Sequence, residues 1–226
     1  MRALLLALLL LLPACGRPLS DGETRFARDT LGPTLDTSRV RVHRSALVGL
    51  VPLSRPARPA VACRERIRPP ERGIVTGRIA AMVLFNRIVM ANPLYLDDFL
   101  SDYPRSMQLE DAMLLAHELT HAWQWQNRKT TGYHPLRAAT EHLPATDPYL
   151  FELENNARFE EYPFEQQASL VEEFVCCRAL DPHGARTDRL HALLSPHFPQ
   201  VARFPATQPK DVLLFWPNAP RSGICD

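Results

Sequence analysis

Hydrophobic and polar residues alternate along this chain with two different periods. Residues 39–43 alternate charged and apolar side chains with a period of two, which predicts a strand with one exposed face. Two apolar runs at residues 80–85 and 88–91 flank the polar pair Asn86 and Arg87. This arrangement predicts a β-hairpin, and therefore a small antiparallel sheet that includes residues 80–91.

Helical spacing and helix-start signals mark three other segments. A serine at position 20 and a glutamate at position 23 form the capping-box pattern, which predicts a helix that continues to about Leu31. Apolar residues at helical spacing, without glycine or proline, predict a central helix over residues 106–127. A second long helix is predicted from Pro163, which suits a first-turn position, to about Leu180.

Prolines divide the rest of the chain. The sequence has 21 prolines in 226 residues, a large share that indicates many turns between short elements. We expect residues 51–72 to form a long loop, and the tail from Asp181 to consist of short helical pieces and loops. The length suits one domain, and the mixture of hairpin and long helices predicts the α+β class.

Charge excludes one class of partner. The formal net charge is +1, whereas nucleic-acid binding needs a strong local excess of lysine and arginine. Six arginines do cluster between residues 55 and 72. The pattern there is typical of a solvated proline and arginine loop, and we predict no nucleic-acid partner.

The first residues indicate export. Arg2 precedes a leucine-rich apolar run that is too short to span a bilayer, which is typical of a secretory signal. The run ends in Leu12-Pro13-Ala14-Cys15-Gly16, which resembles a bacterial lipobox with Cys15 as the lipidated residue. Ordinary cleavage after Ala14 or Gly16 is the alternative. We therefore expect residues 1–15 to be a signal peptide, residues 16–226 to be one domain, and an N-terminal lipid to supply membrane attachment.

Four cysteines remain after Cys15. An oxidising compartment and an even number predict two disulfides. Because adjacent helical cysteines do not easily bridge each other, we expect Cys176 and Cys177 to pair with Cys63 and Cys225, in an order that the sequence leaves open. The spacing does not favour a zinc site made of cysteines.

The run His117-Glu118-Leu119-Thr120-His121 is the candidate for chemistry. Residues four apart lie on one face of a helix, so His117 and His121 can direct ring nitrogens at one Zn²⁺ ion. Glu118 projects from the neighbouring face, where a general base can reach a water beside the metal. An accidental match in a metal-free helical domain is the alternative that this motif leaves open.

A catalytic zinc site needs a third protein ligand. Gln124 and Asn127 stand where the metzincin pattern requires glycine and histidine, which excludes that class. A glutamate on the second long helix is the other common solution. We favour Glu165, because Ala168 and Ser169 on the same stripe permit close approach of two helices. Glu172 is the next candidate, or a residue that orients a ligating histidine, followed by Glu160 and Glu161.

The quoted segments carry a resemblance to a known family. Residues 40–43, the hairpin, residues 115–124 and residues 165–168 resemble the metallopeptidase domain associated with extracellular contractile injection systems and with Vgr-related bacterial proteins. The resemblance spans about residues 20–180 and leaves residues 181–226 as a proline-rich extension. It implies a zincin-like fold, with His117, His121 and Glu165 as zinc ligands and Glu118 as the base.

These observations predict a zinc-dependent metallopeptidase. A metal-activated water would hydrolyse the peptide bonds of a peptide or protein substrate. An edge strand of the hairpin, at residues 88–91, is expected to hold that substrate in an extended conformation. The alternative function is an exported zinc-binding envelope protein that serves a secretion or injection apparatus with little or no turnover. Tyr162, Tyr133 and Arg158 are candidates to stabilise an oxyanion, and the spacing selects none of them.

Overall fold

The computed structural model describes residues 16–142, 147–153, 156–204 and 209–226. The signal-like run and Cys15 lie outside the described residues, so the predictions for cleavage and lipidation stay predictions. Within the described residues, no helix combines the length and the apolarity that crossing a membrane requires.

The described residues form an α+β fold of seven helices and seven strands with several 3₁₀ turns. The helices are α1 (Asp21–Leu31), α2 (Cys63–Arg66), α3 (Leu109–Gln126), α4 (Arg128–Thr131), α5 (Pro135–Thr140), α6 (Phe164–Leu180) and α7 (Ala185–Leu194). The strands are β1 (Arg41–Ser45), β2 (Pro52–Pro56), β3 (Ile74–Arg78), β4 (Ala81–Leu84), β5 (Arg87–Ala91), β6 (Ser106–Gln108) and β7 (Asp211–Leu213).

The main sheet has the strand order β1-β5-β4. Strand β5 lies in the centre, antiparallel to β4 and parallel to β1. The predicted hairpin is confirmed, with a turn at Phe85 and Asn86, where Phe85 has a φ of 63°. The predicted antiparallel pairing within residues 80–91 is present, and β1 adds a third strand to the same sheet in the parallel direction.

Residues 51–72 are not the predicted loop. Strand β2 pairs antiparallel with β3 in a two-stranded ribbon, and α2 lies between them in the sequence. Two prolines delimit β2. A two-stranded ribbon tolerates them because every strand in it is an edge strand, where a missing N–H costs no ladder bond.

The long helices α3 and α6 pack against each other and form the centre of the molecule. Helix α1 has the predicted capping box of Ser20 and Glu23, and it packs on α3. Helix α3 begins at Leu109 and not at 106, because residues Ser106–Gln108 pair in parallel with β7. The predicted tail without strands therefore contributes one strand.

Both predicted disulfides form, and the structure supplies their order. Cys63 pairs with Cys176, and Cys177 pairs with Cys225. All four residues are fully buried. The two bonds attach α2 and the C-terminal end of the chain to neighbouring positions of α6.

Candidate metal centre

Helix α3 buries most of its side chains from Leu109 to Gln124, and several of the buried side chains are polar. His117, Glu118, Thr120, His121 and Gln124 are all buried. Burying polar groups is unfavourable unless each finds a partner, so such a cluster on one helix indicates a function that requires it. Thr120 is satisfied locally, because its hydroxyl donates to the carbonyl of Ala116 at 2.8 Å.

The structure brings His117, His121 and Glu165 together. The Nε2 atoms of the two histidines lie 3.2 Å apart. Glu165 Oε2 lies 3.2 Å from His117 Nε2 and 3.3 Å from His121 Nε2. Three donor atoms of the types that bind metal ions therefore converge at one buried point, two from α3 and one from the first turn of α6.

The small residues of α6 permit this convergence. Ala168 and Ser169 follow Glu165 at i+3 and i+4 and are buried against the neighbouring helix. Glu165 itself is held by its main chain, since its N–H and that of Phe164 both donate to the carboxylate of Glu141. The free N–H groups of the first helical turn are satisfied in this way.

A second layer of side chains orients the two histidines. Glu172, one candidate from the sequence, does not join the convergent Nε2 and Oε2 atoms but lies 3.3 Å from His117 Nδ1. Gln124 Oε1 lies 2.8 Å from His121 Nδ1. Both contacts occupy Nδ1 and leave Nε2 of each ring directed at the common point, as oriented metal ligands require.

Gln124 was not predicted as a site residue. Its amide group also donates to the carbonyl of Phe164 at 3.1 Å and to the side chain of Gln167 at 3.0 Å. It therefore locks α3 to α6 as well as orienting His121. The sequence signal that could have identified Gln124 is its position three residues after His121, on the same face of the predicted helix.

Glu118 occupies the position that the motif predicts for a base. It is buried, and its Oε2 atom has no hydrogen-bond partner among the residues that the structure describes. Burial raises the pKa of Glu118, and the nearby carboxylates of Glu165 and Glu172 add to the rise, although the two histidines oppose it. An unpartnered buried carboxylate with a raised pKa is suited to accept a proton.

The charges of the cluster depend on one another. Burial acts to lower the pKa of His117, but its contacts with Glu165 and Glu172 outweigh burial and raise that pKa to about 10. Burial acts to raise the pKa of Glu165, but His121 and His117 hold it well below its ordinary value. The carboxylates therefore favour positive charge at the centre of the cluster, which either protons or a cation can supply.

Two further residues, His142 and Tyr149, lie beside the cluster. His142 Nε2 lies 3.7 Å from Glu165 Oε1 and 3.0 Å from the hydroxyl of Tyr149. The ring of Tyr149 lies 5.7 Å from that of His117. Both come from the segment between α5 and α6, and no spacing in the sequence distinguishes them from other loop residues.

The other candidates lie elsewhere. Glu160 and Glu161 are exposed and pair with Arg158, so they do not face the cluster. Tyr162 directs its hydroxyl at the carbonyl of Glu152. Of the three candidates for an oxyanion donor, Tyr133 alone borders the cluster, with its ring 6.1 Å from that of His121.

Comparisons with known proteins give one structural likeness. No protein-family model and no curated protein matches the sequence. The fold is similar to that of the effector domain of Pseudomonas aeruginosa VgrG2b, with a TM-score of 0.52. The sequences are 21% identical, and the match covers 85% of this chain and 92% of that chain. The resemblance to Vgr-related proteins is therefore supported at the level of the fold.

Proposed function

We propose that this chain is a zinc-dependent peptidase whose metal is held by His117, His121 and Glu165. The distances between the three donor atoms carry the proposal. A tetrahedral zinc ion with bonds of about 2.0–2.1 Å separates its ligand atoms by about 3.3–3.4 Å. The three separations here are 3.2, 3.2 and 3.3 Å.

Three protein ligands leave one tetrahedral position for water or substrate, which is the arrangement of catalytic rather than structural zinc. Bound zinc supplies Lewis-acid polarisation of a peptide carbonyl and lowers the pKa of a water molecule to about 7. Glu118 removes a proton from the attacking water and delivers it to the leaving amine. Its unpartnered Oε2 atom supports this role.

His142 and Tyr149 are our candidates for groups that face the developing oxyanion. His142 Nδ1–H donates to the carbonyl of Ala138, so Nε2 accepts from the Tyr149 hydroxyl, and His142 Nε2 lies 3.7 Å from Glu165 Oε1. Tyr133, whose ring lies 6.1 Å from that of His121, is a third candidate, whereas Tyr162 and Arg158 make their contacts away from the cluster.

The substrate is expected to bind beside β4 rather than at residues 88–91. Those residues belong to β5, which pairs on both sides, so the predicted edge strand was wrong. Strand β4 pairs with β5 on one side, has no partner on the other among the described strands, and packs beside α3. A peptide that extends this edge should lose binding when its backbone nitrogens are methylated, because methylation removes the ladder donors.

We also propose that the peptidase acts as an exported effector of a bacterial secretion system. The solved structure with a similar fold is described as an effector domain. Two buried disulfides are compatible with an oxidising destination. A protein or peptide substrate at that destination is the partner we expect.

Metal content of the purified protein tests the site. We expect about one zinc per chain in the wild type, and its loss in both His121→Ala and Glu165→Ala, because two ligands do not hold zinc at a catalytic site. His183→Ala and Glu161→Ala are matched controls, since both residues are exposed, and both should retain the metal. A wild type without zinc after incubation in excess metal would refute the proposal.

The variant Glu118→Gln separates a peptidase from a zinc protein without turnover. It should keep the zinc but lose peptide hydrolysis by a factor of about 10²–10⁴, the usual contribution of a general base. If Glu118→Gln retains zinc and full effector activity in cells, hydrolysis is not the function, and the envelope-protein alternative is correct.

A further inference from the structure

The four-residue helix α2 reaches the metal centre through one side chain. Arg64 Nη1 lies 3.3 Å from Glu172 Oε2, and the same oxygen lies 3.3 Å from His117 Nδ1. All three residues are buried. A continuous path of polar contacts therefore runs from α2 through α6 to a ligand histidine on α3.

Arg64 fixes the oxygen that orients His117. The side chain of Glu172 can rotate, and a rotated carboxylate would leave His117 Nδ1 without its acceptor. The guanidinium is itself held, because Arg64 Nε and Nη2 both contact Glu65 Oε1 at 2.7 Å. Arg64 is therefore a positioning residue for the metal site and not a ligand.

Helix α2 cannot hold Arg64 in place by its own stability. A single helical turn is unstable in water, and segments without regular structure flank α2. Cys63, the residue before Arg64, supplies the attachment in two ways. Its side chain forms the disulfide with Cys176 on α6, and its N–H donates to Glu173 Oε1 at 2.9 Å.

We propose that oxidation of Cys63 and Cys176 completes the metal site by holding Arg64 against Glu172, so that zinc affinity depends on this disulfide. The inference rests on the proposed zinc site. Forming the bond removes two electrons and two protons from the two thiols, and a disulfide-exchange oxidant accepts them and becomes a dithiol. A chain made in a reducing compartment would bind zinc weakly at His117, His121 and Glu165 and would gain affinity at that site after export.

The second disulfide provides an internal control. Cys177 is the neighbour of Cys176 on α6, but its partner Cys225 belongs to the C-terminal end of the chain. Cys225 contacts Asp181 and Arg186 through its main chain. Removing this bond leaves the Cys63–Cys176 bond and the contact between Arg64 and Glu172 in place, and the hydrogen bond from Arg66 of α2 to the carbonyl of Ile224 involves neither residue.

The experiment compares Cys63→Ser/Cys176→Ser with Cys177→Ser/Cys225→Ser. Zinc affinity is measured by competition with a chelator. We expect the first variant to bind zinc about 10- to 100-fold more weakly, the usual effect of losing an outer contact to a ligand, and the second to match the wild type. Serine replaces reduction because the liberated sulfurs of Cys63, Cys177 and Cys225, which lie within 4.8 Å of one another, would bind zinc themselves.

Arg64→Met keeps both disulfides and serves as the second variant if Cys63→Ser/Cys176→Ser fails to fold. It should show the same loss of affinity. Combining it with Cys63→Ser/Cys176→Ser should add little further loss, because both changes remove one contact. Cobalt at saturating concentration adds a spectroscopic test: its visible absorption should change in these variants and not in Cys177→Ser/Cys225→Ser.

The outcomes separate the inference from the proposed function. A wild type that binds no zinc overturns both. A wild type that binds zinc, with unchanged affinity in Cys63→Ser/Cys176→Ser or in Arg64→Met, overturns this inference alone. If the combined variant loses zinc affinity by the product of the two separate fold-losses, the disulfide does not act through Arg64.

Discussion

The helix pair α3 and α6 buries polar side chains, whereas the ribbon of β2 and β3 exposes apolar ones. The helix pair buries histidines, glutamates and a glutamine at the centre of the molecule. The ribbon leaves Leu53 49% exposed and Ile74 71% exposed. The difference indicates that the free energy of folding comes mainly from the helix pair, which also bears the cost of the site, whereas the ribbon contributes little to either.

The largest expected difference between the two regions is in the free energy of unfolding that is lost when a leucine in each is replaced by alanine. Leu119 is 0% exposed in α3, and Leu53 is 49% exposed in β2. Leu119→Ala should lower the free energy of unfolding by about 2–5 kcal/mol, because it removes buried apolar contacts and leaves a cavity. Leu53→Ala should change it by less than about 0.5 kcal/mol. Denaturant unfolding of both metal-free variants measures the contrast, and equal losses would contradict it.

Zinc should stabilise the helix pair specifically. If the folded chain alone binds the ion, zinc at 100 times its Kd adds about 2.7 kcal/mol to the free energy of unfolding. The gain should disappear on addition of a chelator and should be absent in Glu165→Gln. Leu53→Ala is the matched control, because the ribbon contributes no ligand, and it should gain as much as the wild type. A similar gain in Glu165→Gln would mean that zinc binds elsewhere.

The contrast between the helix pair and the ribbon also explains which features could be predicted from the sequence. Both long helices, the capping box at Ser20 and the hairpin were predictable, since each has a local signal that the packing does not override. The convergence of His117, His121 and Glu165 was predictable for a similar reason. Two ligand candidates share one helical face, and small residues beside Glu165 indicated close packing.

Other features depend on contacts between distant segments and have no local signal. Strand β1 joins β5 in the parallel direction, and β6 pairs with β7 more than 100 residues later. The roles of Arg64 and Gln124 depend on side chains that meet only after the helices pack. The ribbon was missed because prolines in residues 51–72 indicate a loop unless the strand is known to be an edge.

Asp111 in the helix pair and Glu71, which pairs with Arg55 of the ribbon, should affect stability in opposite directions as the pH changes. Burial, with Glu110 as a smaller contributor, raises the pKa of Asp111 in α3 from 3.8 to about 6. The charged form is therefore disfavoured in the folded chain. The protonated carboxyl group of Asp111 makes its full contribution to the stability of the fold below pH 3.8. That contribution is lost as the pH rises through about 6.

Asp111→Asn removes the pH dependence of stability that Asp111 causes. The variant should be more stable than the wild type above pH 7 by about 1 kcal/mol, a value discounted because the group is only half buried. At pH 3.5 the two proteins should have the same stability. Thermal unfolding at both pH values measures the difference, and a constant difference would assign the effect to packing rather than to charge.

The smallest effect is expected from the ion pair that closes the ribbon. Arg55 contacts both carboxylate oxygens of Glu71 at 2.7 Å, and neither side chain is deeply buried. The hydrogen bond from Arg55 lowers the pKa of Glu71 from 4.5 to about 2. The pair therefore stabilises the fold above pH 4.5, and the contribution is lost as the pH falls through about 2.

Arg55→Ala should lower the free energy of unfolding at pH 7 by about 0.5 kcal/mol, because solvent screens an exposed pair of this kind. The loss should shrink in about 1 M salt, where the Debye length falls to about 3 Å. Zinc content should be unchanged, since Arg55 pairs within the ribbon and with Asp147 and does not contact Glu172 or the three ligands among the described contacts. A loss above about 2 kcal/mol, insensitive to salt, would show that the ribbon supports the fold as strongly as the helix pair does.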